Sequence, residues 1–163
     1  MRRPGPGLRP LSLPGNDIWR NGGTKVKLRR LQRDLGAFRV FMKIMVVEDE
    51  PLIRLGLVSA IEEAGYVVVE ASNADEALRK LETESAVRLI LTDVDMPGSM
   101  DGIRLSHYVR SKWPPIQLIV ISGKVGVKPG ELPDGARFVS KPYQEPQLLG
   151  IIDTMIESGG GYG

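Results

Sequence analysis

Five side chains of this 163-residue chain could do chemistry together: Glu48, Asp49, Asp93, Ser122 and Lys141. Hard carboxylate oxygens with room left for water suit Mg2+, which takes few protein ligands and keeps part of its hydration shell. A divalent cation held between Asp49, Asp93 and a backbone carbonyl leaves one oxygen of Asp93 as a nucleophile. The reaction that fits is phosphoryl transfer to that aspartate. A carboxylate is a weak nucleophile, but a metal, an ammonium and a hydroxyl can stabilise the equatorial oxygens of the transferring group. Lys141 supplies the second positive charge and Ser122 a hydrogen bond. Carboxylates alone would repel a phosphate; the metal and Lys141 reverse that sign.

Such a set works only if regular elements deliver it to one place. Lys43–Val47 is a short apolar run that ends in acids, and Pro51 suits the first turn of a helix running to Gly65, with Ile53, Leu57, Ile61 and Ala64 at helical spacing. Tyr66–Val69 is β-branched and predicts a second strand, and Asn73-Ala-Asp-Glu76 has the form of a capping box opening a helix through Ala77, Leu78 and Leu81. Leu89–Leu91 is a third strand ending at Thr92-Asp93. The loop from Val94 to Gly102 leads to a helix carrying Ile103, Leu105, Tyr108 and Val109, closed by Pro114-Pro115. Ile116–Ile121 and Ala136–Ser140 complete the strands, and a last helix carries Leu148, Leu149, Ile151, Ile152, Met155 and Ile156.

Five nearly continuous apolar strands separated by crossover segments predict an α/β fold, a parallel sheet covered on both faces. Ligands of such sheets gather outside the carboxyl ends of the strands, where strand order reverses. Strand one ends in Glu48-Asp49, strand three in Asp93, strand four in Ser122 and strand five in Lys141. Taken singly, each has a plainer reading. Glu48-Asp49-Glu50 could cap a helix N-terminus, where negative charge is favourable; Asp93 could cap a turn; Lys141 and Ser122 could be surface and loop residues. Their convergence at four strand ends favours the chemical reading.

Met45-Val-Val-Glu-Asp-Glu-Pro51, Leu91-Thr-Asp-Val-Asp-Met-Pro-Gly98 with Asp101-Gly102, Ile121-Ser-Gly123 and Ser140-Lys-Pro-Tyr143 together resemble the receiver domain of two-component response regulators. The motifs stand in the family's order and cover residues 43 to about 157. The resemblance implies a flavodoxin-like, doubly wound five-stranded parallel sheet of order 2-1-3-4-5. It implies that Asp93 accepts phosphate from a histidine kinase, or from a hybrid kinase or phosphotransfer protein, with Mg2+ as cofactor. Glu48, Asp49, Asp93 and the backbone carbonyl of Asp95 match the metal shell. Ser122 and Lys141 match the phosphoryl-stabilising pair, with Ser122 and Phe138 as switch residues. Lys141-Pro142 falls where the family often has a cis peptide. The chain is then not a turnover enzyme, since it catalyses only its own phosphorylation and slow dephosphorylation.

Three departures matter. Glu48 stands where the family commonly has aspartate, and its longer arm suits a contact to the metal through water. The Pro97–Gly102 loop is one residue longer than the most familiar form. Gly126, Pro129, Gly130, Pro133 and Gly135 fall between strands four and five, so a fourth helix is expected to be short or absent, each Pro or Gly costing on the order of 1–3 kcal/mol inside one. Asp95 and Lys124 flank the pocket and, by the resemblance, tune hydrolysis of the aspartyl phosphate.

Composition bounds the rest. The chain has no cysteine, which excludes a disulfide scaffold, a thiolate metal site and cysteine catalysis. No apolar run approaches the roughly 20 residues of a spanning helix, so a cytoplasmic protein without membrane contact is expected. The formal charge of +2 hides an asymmetry: residues 1–41 are net +8, the remainder net −6. The Pro/Gly-rich leader 1–41 is expected to be disordered, or to precede a true start at Met42. The alternatives are a passive tail or a functional basic arm, Leu28, Leu31, Leu35 and Phe38 lying at helical spacing among bases. Residues 42–157 form the expected receiver unit and 158–163 a Gly-rich tail, a stand-alone arrangement with no output domain. Nucleic-acid binding loses its compositional support once the charges are located, unless the basic leader is part of the native protein. His107 is expected on a surface, and Trp113 to pack the end of its helix. Two other functions remain in view: a haloacid-dehalogenase-like phosphatase using Asp93-Val-Asp95, and a receiver-like interaction module that is not phosphorylated.

Overall fold

The computed structural model describes residues 17–19, 25–27, 42–123, 127 and 130–159. Two compact units share the chain, with a division after Ala37. In the first, the strands β1 (Asp17–Trp19) and β2 (Lys25–Lys27) pair antiparallel. The rest of the leader, including the apolar positions from Leu28 to Phe38, lies outside the described residues.

The second unit carries β3 (Lys43–Val47), α1 (Pro51–Glu63), β4 (Val67–Ala71), α2 (Ala74–Leu81), β5 (Val87–Asp93), α3 (Gly102–Lys112), β6 (Gln117–Ser122), β7 (Arg137–Ser140) and α4 (Glu145–Gly159). Its sheet is fully parallel in the order β4-β3-β5-β6-β7. Counted within the unit this is 2-1-3-4-5, the doubly wound arrangement expected.

Strand periodicity divides the core into two layers. Ile44 and Val46 of β3 face one layer with Leu89, Leu91, Ile119 and Ile121, under Leu57 and Ile61 of α1 and Leu148, Ile152 and Ile156 of α4. Met45 and Val47 face the other with Ile90 and Leu118, under Ala77 and Leu81 of α2 and Leu105 and Val109 of α3. Each fully buried aliphatic side chain contributes about 1.5–3 kcal/mol, and the central strands β3, β5 and β6 are buried on both faces. That packing fixes where their carboxyl ends lie.

The caps follow the local sequence, with one adjustment. Asn73 Oδ1 accepts from the Glu76 N–H at 2.8 Å, as a capping box requires, but Glu76 reaches back one residue further, accepting from the Ser72 N–H at 2.8 Å and the Ser72 hydroxyl at 2.6 Å. Asp101 caps α3 through the Arg104 N–H at 2.8 Å. Between Ser122 and Arg137 there is no helix among the described residues, in keeping with the Pro and Gly content; residues 124–126, 128 and 129 lie outside them. A backbone carbonyl of this connection, that of Glu131, lies 2.8 Å from His107 Nε2 on α3, so the histidine, exposed as expected, also anchors a crossing segment. Trp113 caps the end of α3, its N–H bonded to the Val109 carbonyl at 2.7 Å, with the Lys112 ammonium 4.7 Å from the ring centroid.

Candidate functional site

Glu48 and Asp49 follow β3 directly. Asp93 ends β5, Ser122 ends β6, and Lys141 follows β7, so adjacent parallel strands bring all five to one edge. Glu48, Asp93 and Ser122 are buried, at 2%, 8% and 0% exposure. Carboxylates such as the first two are almost never buried without partners.

The partners are specific. Asp93 Oδ1 accepts from the Val94 N–H at 2.9 Å and lies 3.3 Å from Lys141 Nζ. The same ammonium lies 3.4 Å from Glu48 Oε2, while Glu48 Oε1 accepts from the Glu50 N–H at 3.1 Å. Lys141 is itself positioned by its backbone N–H, which donates to the Ser122 carbonyl at 2.8 Å. The Lys141-Pro142 peptide is cis.

Burial pushes the Glu48 carboxyl above the usual carboxylate range, and the negative charge of Asp93 adds to this; the Glu50 N–H and Lys141 offset only part of it. Burial alone would depress the Lys141 ammonium, but the carboxylates of Glu48 and Asp93 outweigh it and hold its pKa up. Tyr143, two residues on, is raised chiefly by burial.

Three carboxylates against one ammonium leave the edge short of positive charge. Glu48, Asp49 and Asp93 each offer an oxygen within 4.8 Å of the others. Mg–O bonds of about 2.1 Å set trans ligands about 4 Å apart, so this spacing suits one Mg2+ held directly or through retained water. The donor set is all oxygen, the chemistry Mg2+ prefers. Asp95, whose carbonyl was expected to complete the shell, is exposed on the loop after β5. Phe138 is 38% exposed on β7, beside a groove of about 390 Å³ between β7 and α4 lined by Gln147, Gly150, Ile151 and Thr154. Lys124 lies outside the described residues, so its expected place beside the pocket has no structural account.

Two features of the site escaped sequence reasoning. The backbone of α3 passes so close to β5 that a Cβ on Gly102 would fall 1.9 Å from the Asp93 carbonyl oxygen. Gly102 was legible as part of a motif, but its reason is this contact. Arg54, on the first turn of α1, bonds the carbonyls of both acidic residues, Glu48 at 2.7 Å and Asp49 at 3.5 Å. No pattern in the sequence marks it.

The sequence model of the "Response regulator receiver domain" matches residues 44–153. The chain is similar to the "Sensor kinase CckA" of Brucella abortus (strain 2308), 36% identical over 118 residues, which are 70% of this chain and 12% of the kinase. It is also similar to the "Response regulator receiver protein CpdR" of the same organism, 34% identical over 117 residues, 70% of this chain and 96% of that protein. Among solved structures, response regulator protein TrrA of Thermotoga maritima in complex with Mg(2+)-BeF superposes with TM-score 0.62 at 26% identity, over 70% of this chain and 98% of that one. The phosphatase alternative finds no support in this fold.

Proposed function

Because the chain belongs to the response regulator receiver family, we propose that Asp93 is its phosphoacceptor and that residues 42–157 form the unit that is phosphorylated. The observation that carries this reading is the position of Lys141 Nζ, 3.3 Å from Asp93 Oδ1 and 3.4 Å from Glu48 Oε2, at the edge where three carboxylates meet. An oxygen of Asp93 attacks the phosphorus of a phosphohistidine; the N–P bond breaks, and the histidine nitrogen of the donor leaves with the electron pair. Glu48, Asp49, Asp93 and the Asp95 carbonyl would hold Mg2+, whose charge offsets that of the carboxylates and of the incoming phosphoryl oxygens.

The chain's own residues do the rest. Burial of Asp93 limits water at the nucleophile, and the Val94 N–H fixes its carboxylate. Lys141 exchanges a carboxylate partner for a phosphoryl oxygen, and the Ser122 hydroxyl donates to another. Movement of Ser122 toward the phosphoryl group would vacate space into which Phe138, half exposed beforehand, turns. Asp95 and Lys124 tune hydrolysis of the aspartyl phosphate.

The donor is a histidine kinase, a hybrid kinase or a phosphotransfer protein; similarity to a sensor kinase and to a receiver protein supports this class. The output is a change in protein–protein contacts or onward phosphotransfer, in the cytoplasm. No helix among the described residues is long and apolar enough to cross a membrane. Incubation with acetyl phosphate and Mg2+ tests the assignment: wild type should gain a base-labile, hydroxylamine-sensitive phosphoryl group that Asp93→Asn lacks. Equal labelling of both would overturn it, and no labelling of either would favour the non-phosphorylated module.

A further inference from the structure

Arg54 ties together three successive carbonyls at the entrance to α1. Its backbone N–H donates to the Glu50 carbonyl at 2.9 Å, and its Nη1 donates to the Glu48 carbonyl at 2.7 Å, with the Asp49 carbonyl at 3.5 Å. Its Nε donates to Glu70 Oε2 at 3.2 Å, near the end of the neighbouring strand β4. These carbonyls lie beyond the last residue of β3 and before the first of α1, and the N-cap, Glu50, makes no side-chain capping bond. The Glu50 carbonyl is held by an ordinary helical N–H bond and the Glu48 N–H by the Ala71 carbonyl at 3.1 Å, so the side chain's own share of the turn is the Glu48 and Asp49 carbonyls, which one planar fork can serve together.

We propose that Arg54 is a positioning residue for the acidic pair: by holding the Glu48 and Asp49 carbonyls it sets the direction in which their carboxylates meet Asp93, with Glu70 orienting the guanidinium. The inference rests on the reading of Glu48, Asp49 and Asp93 as an Mg2+ site.

Charge and geometry make opposite demands here, which gives a test by sign. A cation behind the acidic pair repels Mg2+, so its removal would strengthen binding if charge were its only effect. Positioning requires the reverse. Calorimetric titration of the full chain with MgCl2 should show Arg54→Met weaker than wild type by about tenfold, the usual scale for losing a group that orients a metal ligand. Arg54→Lys, with the same charge but no fork, should be weaker by about threefold. It also keeps the aliphatic stem, so the question stays open to test if Arg54→Met does not fold. In metal-free protein the backbone amide resonances of Asp49 and Glu50 should shift in both variants. Tighter binding by Arg54→Met with unchanged binding by Arg54→Lys would overturn the inference, as would unshifted amides. If wild type binds no Mg2+, the assignment of the metal site fails, while the amide shifts still decide whether Arg54 holds the turn.

Discussion

Lys141 Nζ lies 3.3 Å from Asp93 Oδ1, reaching from beyond β7 across the end of β6 to the end of β5. The ammonium is therefore already beside the nucleophile, held by carboxylates whose charge a phosphoryl group would share. Lys141→Met should lower the rate of phosphorylation by acetyl phosphate at saturating Mg2+ on the order of a hundredfold, the scale for removing one preorganised donor from a developing charge. Stopped-flow measurement of the reaction would show it; a rate near wild type would remove Lys141 from the mechanism.

Asp49 is placed to bind the cation without sharing Lys141. Asp49→Asn should weaken Mg2+ binding about tenfold or more, the effect of losing one charge contact of roughly 1.4 kcal/mol. Titration calorimetry reads this directly, and unchanged affinity would exclude Asp49 as a ligand.

Gly102 has no room for a side chain, since its Cβ would overlap the Asp93 carbonyl oxygen at 1.9 Å and crowd Thr92 Oγ1 at 3.0 Å. Gly102→Ala should cost about 1–3 kcal/mol through overpacking, visible as a lower urea midpoint. It should also slow labelling of Asp93, because relief requires movement of the strand end that carries it. A variant with the wild-type midpoint would mean that α3 yields freely.

Glu76 links acid stability to a helix cap. The Lys80 ammonium, the Ser72 hydroxyl and the Ser72 N–H hold its carboxyl down to about 2, from an ordinary value of 4.5. The folded state thus binds the proton less readily than the unfolded chain. The resulting stability is present in full above about 4.5 and is lost as pH falls through about 2. Glu76→Gln should cost about 1 kcal/mol near neutral pH, the usual worth of a capping interaction. The gap from wild type should narrow as the pH drops through that window. A gap constant with pH would show that the carboxylate charge contributes nothing.

The five-strand pattern was legible because β3, β5 and β6 are buried on both faces and so read as continuous apolar runs. The site was legible because parallel strands place their carboxyl ends together, so Glu48, Asp49, Asp93, Ser122 and Lys141 could be named from position alone. Arg54 was hidden because it acts through backbone carbonyls, which every residue has. His107 and Glu131, and Ser72 and Glu76, were hidden for related reasons: the first pair spans 24 residues and joins a side chain to a carbonyl, and the second replaces the expected N–H donor by its neighbour. The Gly102 contact depends on how closely two backbones approach, which no residue pattern encodes.

Everything proposed for the site turns on the phosphoryl group residing on Asp93. The most direct measurement is borohydride reduction of the acetyl-phosphate-treated protein, which converts an aspartyl phosphate to homoserine, followed by peptide mass spectrometry. Homoserine is expected at position 93 alone, dependent on Mg2+ and absent from untreated protein. Homoserine at Asp49, Asp95 or any other position in place of 93 would contradict it.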